Sequence, residues 1–235
     1  MFEKVTSSIY LVGSGNLSGQ GDCMVYGIGV NDGICLVDAG TRYAGKIMEN
    51  ITQTPLVKGD GGEGEAIITH LILTHAHYDH AGAANQFKKL FPSMEIIAHQ
   101  DDLPAIQGAP GTEKITAESW YGAKYIPVTV DIVLSKNSTM LHAGSKKITA
   151  LHTPGHTPGS ISLLVDDDEK KVLFGQDIHG PFMDEFNSSI KDWGDSMKML
   201  LELDADILCE GHFGIYRGRD AVKDFISSHL RKHGF

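Results

Sequence analysis

Residues 74–80 read THAHYDH, three histidines and an aspartate in seven positions, directly after the apolar run AIITHLIL (66–73). Imidazole and carboxylate are the side chains that hold zinc and its neighbours in the transition series. In extended chain, side chains at i, i+2 and i+4 share a side, so His75, His77 and Asp79 can face one point beyond the strand. His80 then points elsewhere, as the chain turns into a helix expected from about Ala81. One short segment can therefore feed two adjacent metals, His75 and His77 one, Asp79 and His80 the other.

Three more candidates each follow a strand-like run. His156 sits in HTPGHTPGS (152–160), where two Thr-Pro-Gly turns stiffen a loop; Asp177 sits in FGQDIHG (174–180); His212 sits in CEGHFG (209–214). Strand ends are where open α/β architectures place their sites, so the set reads as a two-metal centre. Other histidines divide by context. His70 lies within an apolar strand and is expected to be packed or hydrogen-bonded, while His142, His229 and His233 read as surface positions. His99 and His152 end strands near the site and are open to a supporting role. His179, two residues after Asp177, could face a substrate, donate a proton or support the loop. Trp120 and Tyr121 in ESWYGAKY, with Phe182, Met183 and Phe186 in HGPFMDEF, are candidate pocket walls or ordinary packing.

The elements that must position these residues are mostly strands. β-branched runs recur at 8–13, 23–30, 33–38, 66–73, 94–99, 128–134, 146–152, 160–166, 170–175 and 205–211. Ile190, Trp193, Met197 and Leu200, then Val222, Phe225, Ile226 and Leu230, recur at helical spacing and make single apolar stripes. Hairpin-like strands followed by strand and helix alternation, twice over, predict an α/β fold: two mixed sheets packed face to face with helices outside, a four-layer αββα sandwich. KGDGGEGE (58–65) and QGAPGTEK (107–114) read as loops within a single domain spanning 1–235. GSGNLSGQG (13–21) lacks the Gly-Lys-Ser/Thr ending of a phosphate loop and reads as a hairpin tip.

Composition excludes several classes. A chain of 235 residues, 41% hydrophobic, can bury a substantial core, and no apolar stretch approaches the ~20 residues of a membrane helix. Twenty basic against thirty acidic residues give a net charge of −10, with no Lys or Arg run to track a phosphate backbone, so nucleic acid is not the expected partner. Cys23, Cys35 and Cys209 are odd in number and widely spaced, which predicts reduced, buried thiols. A cytoplasmic location is the default expectation, with a small molecule as substrate and room for a homo-oligomer.

As a set, these motifs resemble the metallo-β-lactamase superfamily, in particular its glyoxalase II-like hydrolases. THAHYDH matches HxHxDH, and VDAG (37–40), TPGHTPGS, GQD and EGH follow in the family's order over nearly the whole chain. The resemblance implies that His75, His77 and His156 bind one metal and Asp79, His80 and His212 a second, with Asp177 bridging and Asp38 as structural support. It implies two divalent ions, zinc first with iron or manganese as alternatives, and a bridging hydroxide that attacks a thioester, ester or lactone carbonyl while Asp79 orients it and passes a proton to the leaving group. Glyoxalase II proper adds a C-terminal helical region whose basic residues hold glutathione, whereas Arg217, Arg219, Lys223, Arg231 and Lys232 after His212 read as solvated helix charges, and no tyrosine matching the lactonases is identified after His156. The resemblance also extends to mononuclear iron persulfide dioxygenases, which keep HxHxDH, and to nucleases, whose basic surface this chain lacks.

Overall fold

A computed structural model describes residues 1–57 and 65–235. The stretch 58–64, read above as part of a Gly-rich loop, lies outside the described residues. The first sheet holds, side by side, β1 (Glu3–Lys4), β2 (Ile9–Gly13), β3 (Val25–Val30), β4 (Gly33–Val37), β5 (Ile68–Ile72), β6 (Glu95–His99) and β7 (Ile132–Leu134). Pairing is antiparallel as far as β4 and parallel from β4 to β7. The second sheet holds β8 (Ser138–Ala143), β9 (Lys146–His152), β10 (Ile161–Asp167), β11 (Lys170–Gln176), β12 (Ile207–Glu210) and β13 (Ile215–Arg217), also adjacent in sequence order. It is antiparallel from β8 to β11, parallel between β11 and β12, and closes with antiparallel β13.

Helices α1 (Ala44–Thr52), α2 (Tyr78–Ala81), α3 (Ala84–Leu90) and α4 (Leu103–Ile106) cover the outer face of the first sheet, and α5 (Ile190–Glu202) and α6 (Arg219–Lys232) cover the second. Alternation along the strands decides which face is which. On β4, Ile34 and Leu36 pack with Ile47, Ile51 and Phe87 of the helices, while Cys35 and Val37 turn inward between the sheets. On β11, Val172 and Phe174 turn inward and Leu173 packs outward with Trp193, Met197 and Ile226. Tyr26 of β3 meets Phe174 edge-on across the inter-sheet core, ring centroids 5.3 Å apart. The αββα sandwich expected from the sequence is the observed fold, and all three cysteines are buried and free.

Two local expectations are corrected. The run 128–134 is a strand only over Ile132–Leu134, because Asp131 begins the pairing: its N–H donates to Ile96 O and its carboxylate accepts from Ile96 N, each at 2.8 Å. Val128 and Val130 are buried, but their N–H groups go to Ile106 O and Gln107 Oε1 instead of a ladder. His233 and His229 are half-buried and not surface residues; His233 packs edge-on against Trp193 and Phe182 at 5.1 and 5.2 Å.

Candidate metal centre

The THAHYDH segment crosses from one backbone period to another. Beyond β5 the chain bends through Thr74–Ala76, is extended at His77, the residue preceding α2, and turns into the helix at Tyr78, three residues earlier than the expected start at Ala81. The bend leaves the His75 and His77 rings 4.7 Å apart, and the first helical turn presents Asp79 with His80. Asp79 shares no extended-strand face with His75 and His77; the helix, not the strand, aims it.

Two groups of donor atoms result, each with all its members within 4.8 Å of one another: His75, His77, His156 and Asp177, and Asp79, His80 and His212. The distant members come from strand ends of the second sheet, His156 after β9, Asp177 after β11 and His212 after β12. Asp177 reaches both groups. Its Oδ2 lies 3.5 Å from His156 Nε2, and its Oδ1 lies 3.1 Å from His80 Nε2 and 3.4 Å from His212 Nε2. Asp79 Oδ2 is 3.1 Å from His212 Nε2. Gly211 lies against Asp177, and any Cβ there would collide with Oδ1.

Hydrogen bonds on the far side of the rings fix their tautomers. A carbonyl oxygen only accepts, so Pro181 O, 2.8 Å from His156 Nδ1, places the proton on Nδ1 and leaves Nε2 bare. His80 Nδ1 donates to Asp38 Oδ2 at 2.7 Å; burial disfavours charge on that ring, but Cys23 and the Asp177, Asp79 and Asp38 carboxylates around it hold its pKa well above the ordinary imidazole range. Asp38 is fully buried at φ +63°, accepts from Thr74 N and Thr74 Oγ1 at 2.8 Å each, and also accepts from Gln176 Nε2. It ties the end of β4 to the loop after β5, to α2 and to the end of β11.

The charge pattern suits a cation. Burial pushes the His75 and His77 imidazoles well below their ordinary range, reinforced by neighbouring imidazoles, so both are neutral. Burial opposes ionisation of Asp177, yet His80 and His212 hold its carboxyl well below the usual range. Burial likewise disfavours charge on His212, but Asp177 and Asp79 hold it up to about 10. His75 Nε2, His77 Nε2, His80 Nε2 and Asp177 Oδ1 are buried without a hydrogen-bond partner. Each such orphan costs about 1–3 kcal/mol unless something binds it. Neutral His75, His77 and His156 imidazoles beside the ionised Asp177 carboxylate fit one divalent metal ion, and a second ion would take the place of the protons that His80 and His212 carry beside Asp79 and Asp177.

Two carboxylates that the sequence did not single out hold this frame. Asp102, fully buried after β6, accepts from Ala76 N at 2.9 Å, Thr157 Oγ1 at 2.7 Å and Gly159 N at 2.7 Å. Ala76 lies between His75 and His77, and Thr157 follows His156, so one side chain locks two donor-bearing loops together. Gly159 permits it, since a Cβ there would collide with Asp102. Glu210, also fully buried, accepts His212 N and Phe213 N through Oε2 and faces His179 Nδ1 at 2.5 Å through Oε1. Nothing in HQDD or CEGHFG marks these acids apart from their nearness to strand ends and to His212.

His99 and His152 stack on each other at 3.7 Å, with Asp101 beside them, and His152 Nε2 donates to Pro158 O at 2.8 Å. They brace the TPGHTPGS loop and contact no member of the two donor groups. Cys23 approaches His80 and Asp38, but burial pushes its thiol far up, which disfavours a thiolate ligand.

A cavity of about 320 Å³ opens above the donors, with His77, Asp79, Asp177 and His212 at its floor and Trp120, Tyr121, Phe186 and Phe213 along its walls. His179 lines it too. Burial and the adjacent Asp79 carboxylate push the Tyr121 phenol up, so it stays a hydroxyl. Of the expected wall residues in HGPFMDEF, Phe186 lines this cavity, while Phe182, packed on Trp193 at 5.0 Å, and Met183 line the adjoining groove; Phe213, not singled out in the sequence, completes the cavity wall.

Comparison with known proteins agrees with this geometry. The chain is 27% identical over 176 residues to an acyl-coenzyme A thioesterase, MBLAC2, of Bos taurus, covering 69% of this chain and 62% of that protein. The chain thus spans about three fifths of that relative's length. It is 30% identical over 138 residues to the hydroxyacylglutathione hydrolase GloC of Haemophilus influenzae, covering 50% and 58% of the two chains. Among solved structures, a motif mutant of a metallo-beta-lactamase from Cronobacter sakazakii superposes with a TM-score of 0.77 over 99% of this chain and 94% of that one, at 20% identity. Residues 18–212 match the profile of the metallo-beta-lactamase superfamily, and with most of its length inside that match the chain belongs to this superfamily.

Proposed function

We propose that the protein is a binuclear metal-dependent hydrolase that cleaves a small-molecule thioester, ester or lactone, the whole chain serving one site as a single domain. The observation that carries this reading is the pair of adjoining donor groups joined by the Asp177 carboxylate. His75, His77 and His156 would hold one ion and Asp79, His80 and His212 the other, with Asp177 between them and zinc the first candidate. When bound, the two ions supply an activated water and Lewis-acid polarisation of a carbonyl. The similarity to a thioesterase and to a hydroxyacylglutathione hydrolase supports acyl transfer to water as the reaction class. Three free, buried thiols support a reducing, cytoplasmic setting.

The chain's own groups have separable tasks. Asp79 sits at the floor between His212 and Tyr121, where its carboxylate can orient an attacking water and carry its proton toward the departing group. His179 has Nδ1 engaged by Glu210, which leaves Nε2 as the ring nitrogen available to a substrate. A substrate laid against the aromatic walls would displace water from the floor.

The test combines elemental analysis of freshly purified protein with a panel of thioesters, lactones, phosphodiesters and a persulfide, the last in an oxygen electrode. Two zinc equivalents with thioester or ester turnover are expected. Iron with oxygen uptake on persulfide would replace the hydrolase by a dioxygenase. His77→Ala should lose metal and turnover together; full turnover by that variant sinks the ligand assignment.

A further inference from the structure

Two chains of rings run from the solvent to the donor groups. On one side Trp120 meets Phe186 at 5.2 Å, and Phe186 meets His77 at 4.3 Å. On the other Phe213 meets His179 at 4.6 Å, and His179 meets His212 at 5.6 Å. The outermost rings are left in water, Trp120 at 55% and Phe213 at 60% exposure. Large aromatics standing open at the rim of a pocket are a surface for a ligand to cover.

Charge points the same way. No Lys or Arg lines the cavity among the described residues. The wider groove of about 760 Å³ formed by neighbouring stretches of the same loops offers Lys114 against Asp184 and Glu185, and the chain carries a net charge of −10. A nucleotide-bearing or multiply carboxylated carrier would meet more repulsion than pairing there.

We propose that this pocket takes an uncharged aromatic acyl group against Trp120 and Phe213, which both line it. The preferred substrate is then an aryl-substituted thioester or ester of a small neutral leaving group, and not a thioester of a large anionic carrier. The inference rests on the hydrolase reading. The step it serves adds water across the acyl–sulfur bond, which breaks to give the aryl carboxylate, the free thiol and one proton. Specificity lies in the acyl half, where ring-on-ring contact and desolvation separate an aryl group from a methyl group by roughly tenfold or more in kcat/KM.

The experiment compares three thioesters on the metal-loaded protein: the phenylacetyl and acetyl thioesters of N-acetylcysteamine, and phenylacetyl-coenzyme A. A preference of roughly tenfold for the neutral aryl thioester over both others is expected, with W120A and F213A each cutting the aryl-to-acetyl ratio several-fold, mainly through KM. Preference for the coenzyme A thioester, or a ratio that neither variant moves, overturns the inference. Phenylacetate is titrated separately while tryptophan fluorescence is read. Saturable quenching that W120F abolishes, leaving only buried Trp193, supports the ring contact independently of turnover. Such quenching without hydrolysis of any of the three thioesters retains the aromatic pocket and overturns the hydrolase reading. Absence of both overturns the two together.

Discussion

The Asp38 carboxylate accepts from four groups on three segments of chain, Thr74 N, Thr74 Oγ1, His80 Nδ1 and Gln176 Nε2. It sits at φ +63°, a conformation that asparagine tolerates and alanine does not. Asp38→Asn should therefore keep the turn while removing the charge that holds the His80 ring. Metal affinity at the Asp79, His80 and His212 group is expected to fall by roughly 10–100-fold, read by competition with a chromophoric chelator. Unchanged affinity would mean that His80 needs no such support. The proposed ligands were legible because most sit in one short motif or beside a turn signature. Asp102 and Glu210 were not, because an acid after a strand becomes a loop clasp only when distant N–H groups arrive around it. Which of two neighbouring pockets an aromatic lines was hidden for a similar reason: Phe182 faces the adjoining groove because Trp193 offers it a packing surface, and Phe213 takes a place on the donor cavity.

At the scale of elements, the strand-to-helix junction at His77 sorts four donors into two pairs, and a local reading places that junction only to within a few residues. Asp131 shortened β7 by the same kind of local capture. Another clasp joins the two sheets at the ends of interior strands. Asp167 at the end of β10 accepts from Thr6 Oγ1 at 2.5 Å and Ser8 Oγ at 2.8 Å beside β2, and pairs with Lys146 of β9. Burial works to raise its carboxyl, but Lys146, Thr6 and Ser8 outweigh that and hold it below the usual range. A depressed folded value means stability that is fully present above the unfolded carboxylate pKa of about 4 and is lost as pH falls through the folded value. Asp167→Asn should cost about 1–3 kcal/mol at neutral pH and flatten the acid limb of melting temperature against pH below about pH 4. Parallel acid limbs for the two proteins would refute the clasp.

Across the whole molecule, the candidate ligands come in two contingents. His75, His77, Asp79 and His80 extend from the first sheet, and His156, Asp177 and His212 from the second. A cation held by both contingents stabilises the sandwich, because the unfolded chain has no such assembled site. Chelation of the purified protein should lower the melting temperature by roughly 6–12 °C, from about 3 kcal/mol at a hundredfold excess over Kd and the usual 2–4 °C per kcal/mol for a chain of this size. Re-addition of zinc should restore it, and a melting temperature indifferent to chelator would remove metal from the folding balance. By itself the sequence determined the layer architecture, since period-two strands and two apolar helical stripes can bury their faces only against one another. It also determined the donor chemistry, since imidazole and carboxylate are intrinsic to residue type. Only the tertiary structure decided which donors share a group, which acids clasp the loops and which rings stand at the mouth. Those are distances between strand ends far apart in the chain, and they are set when two sheets pack.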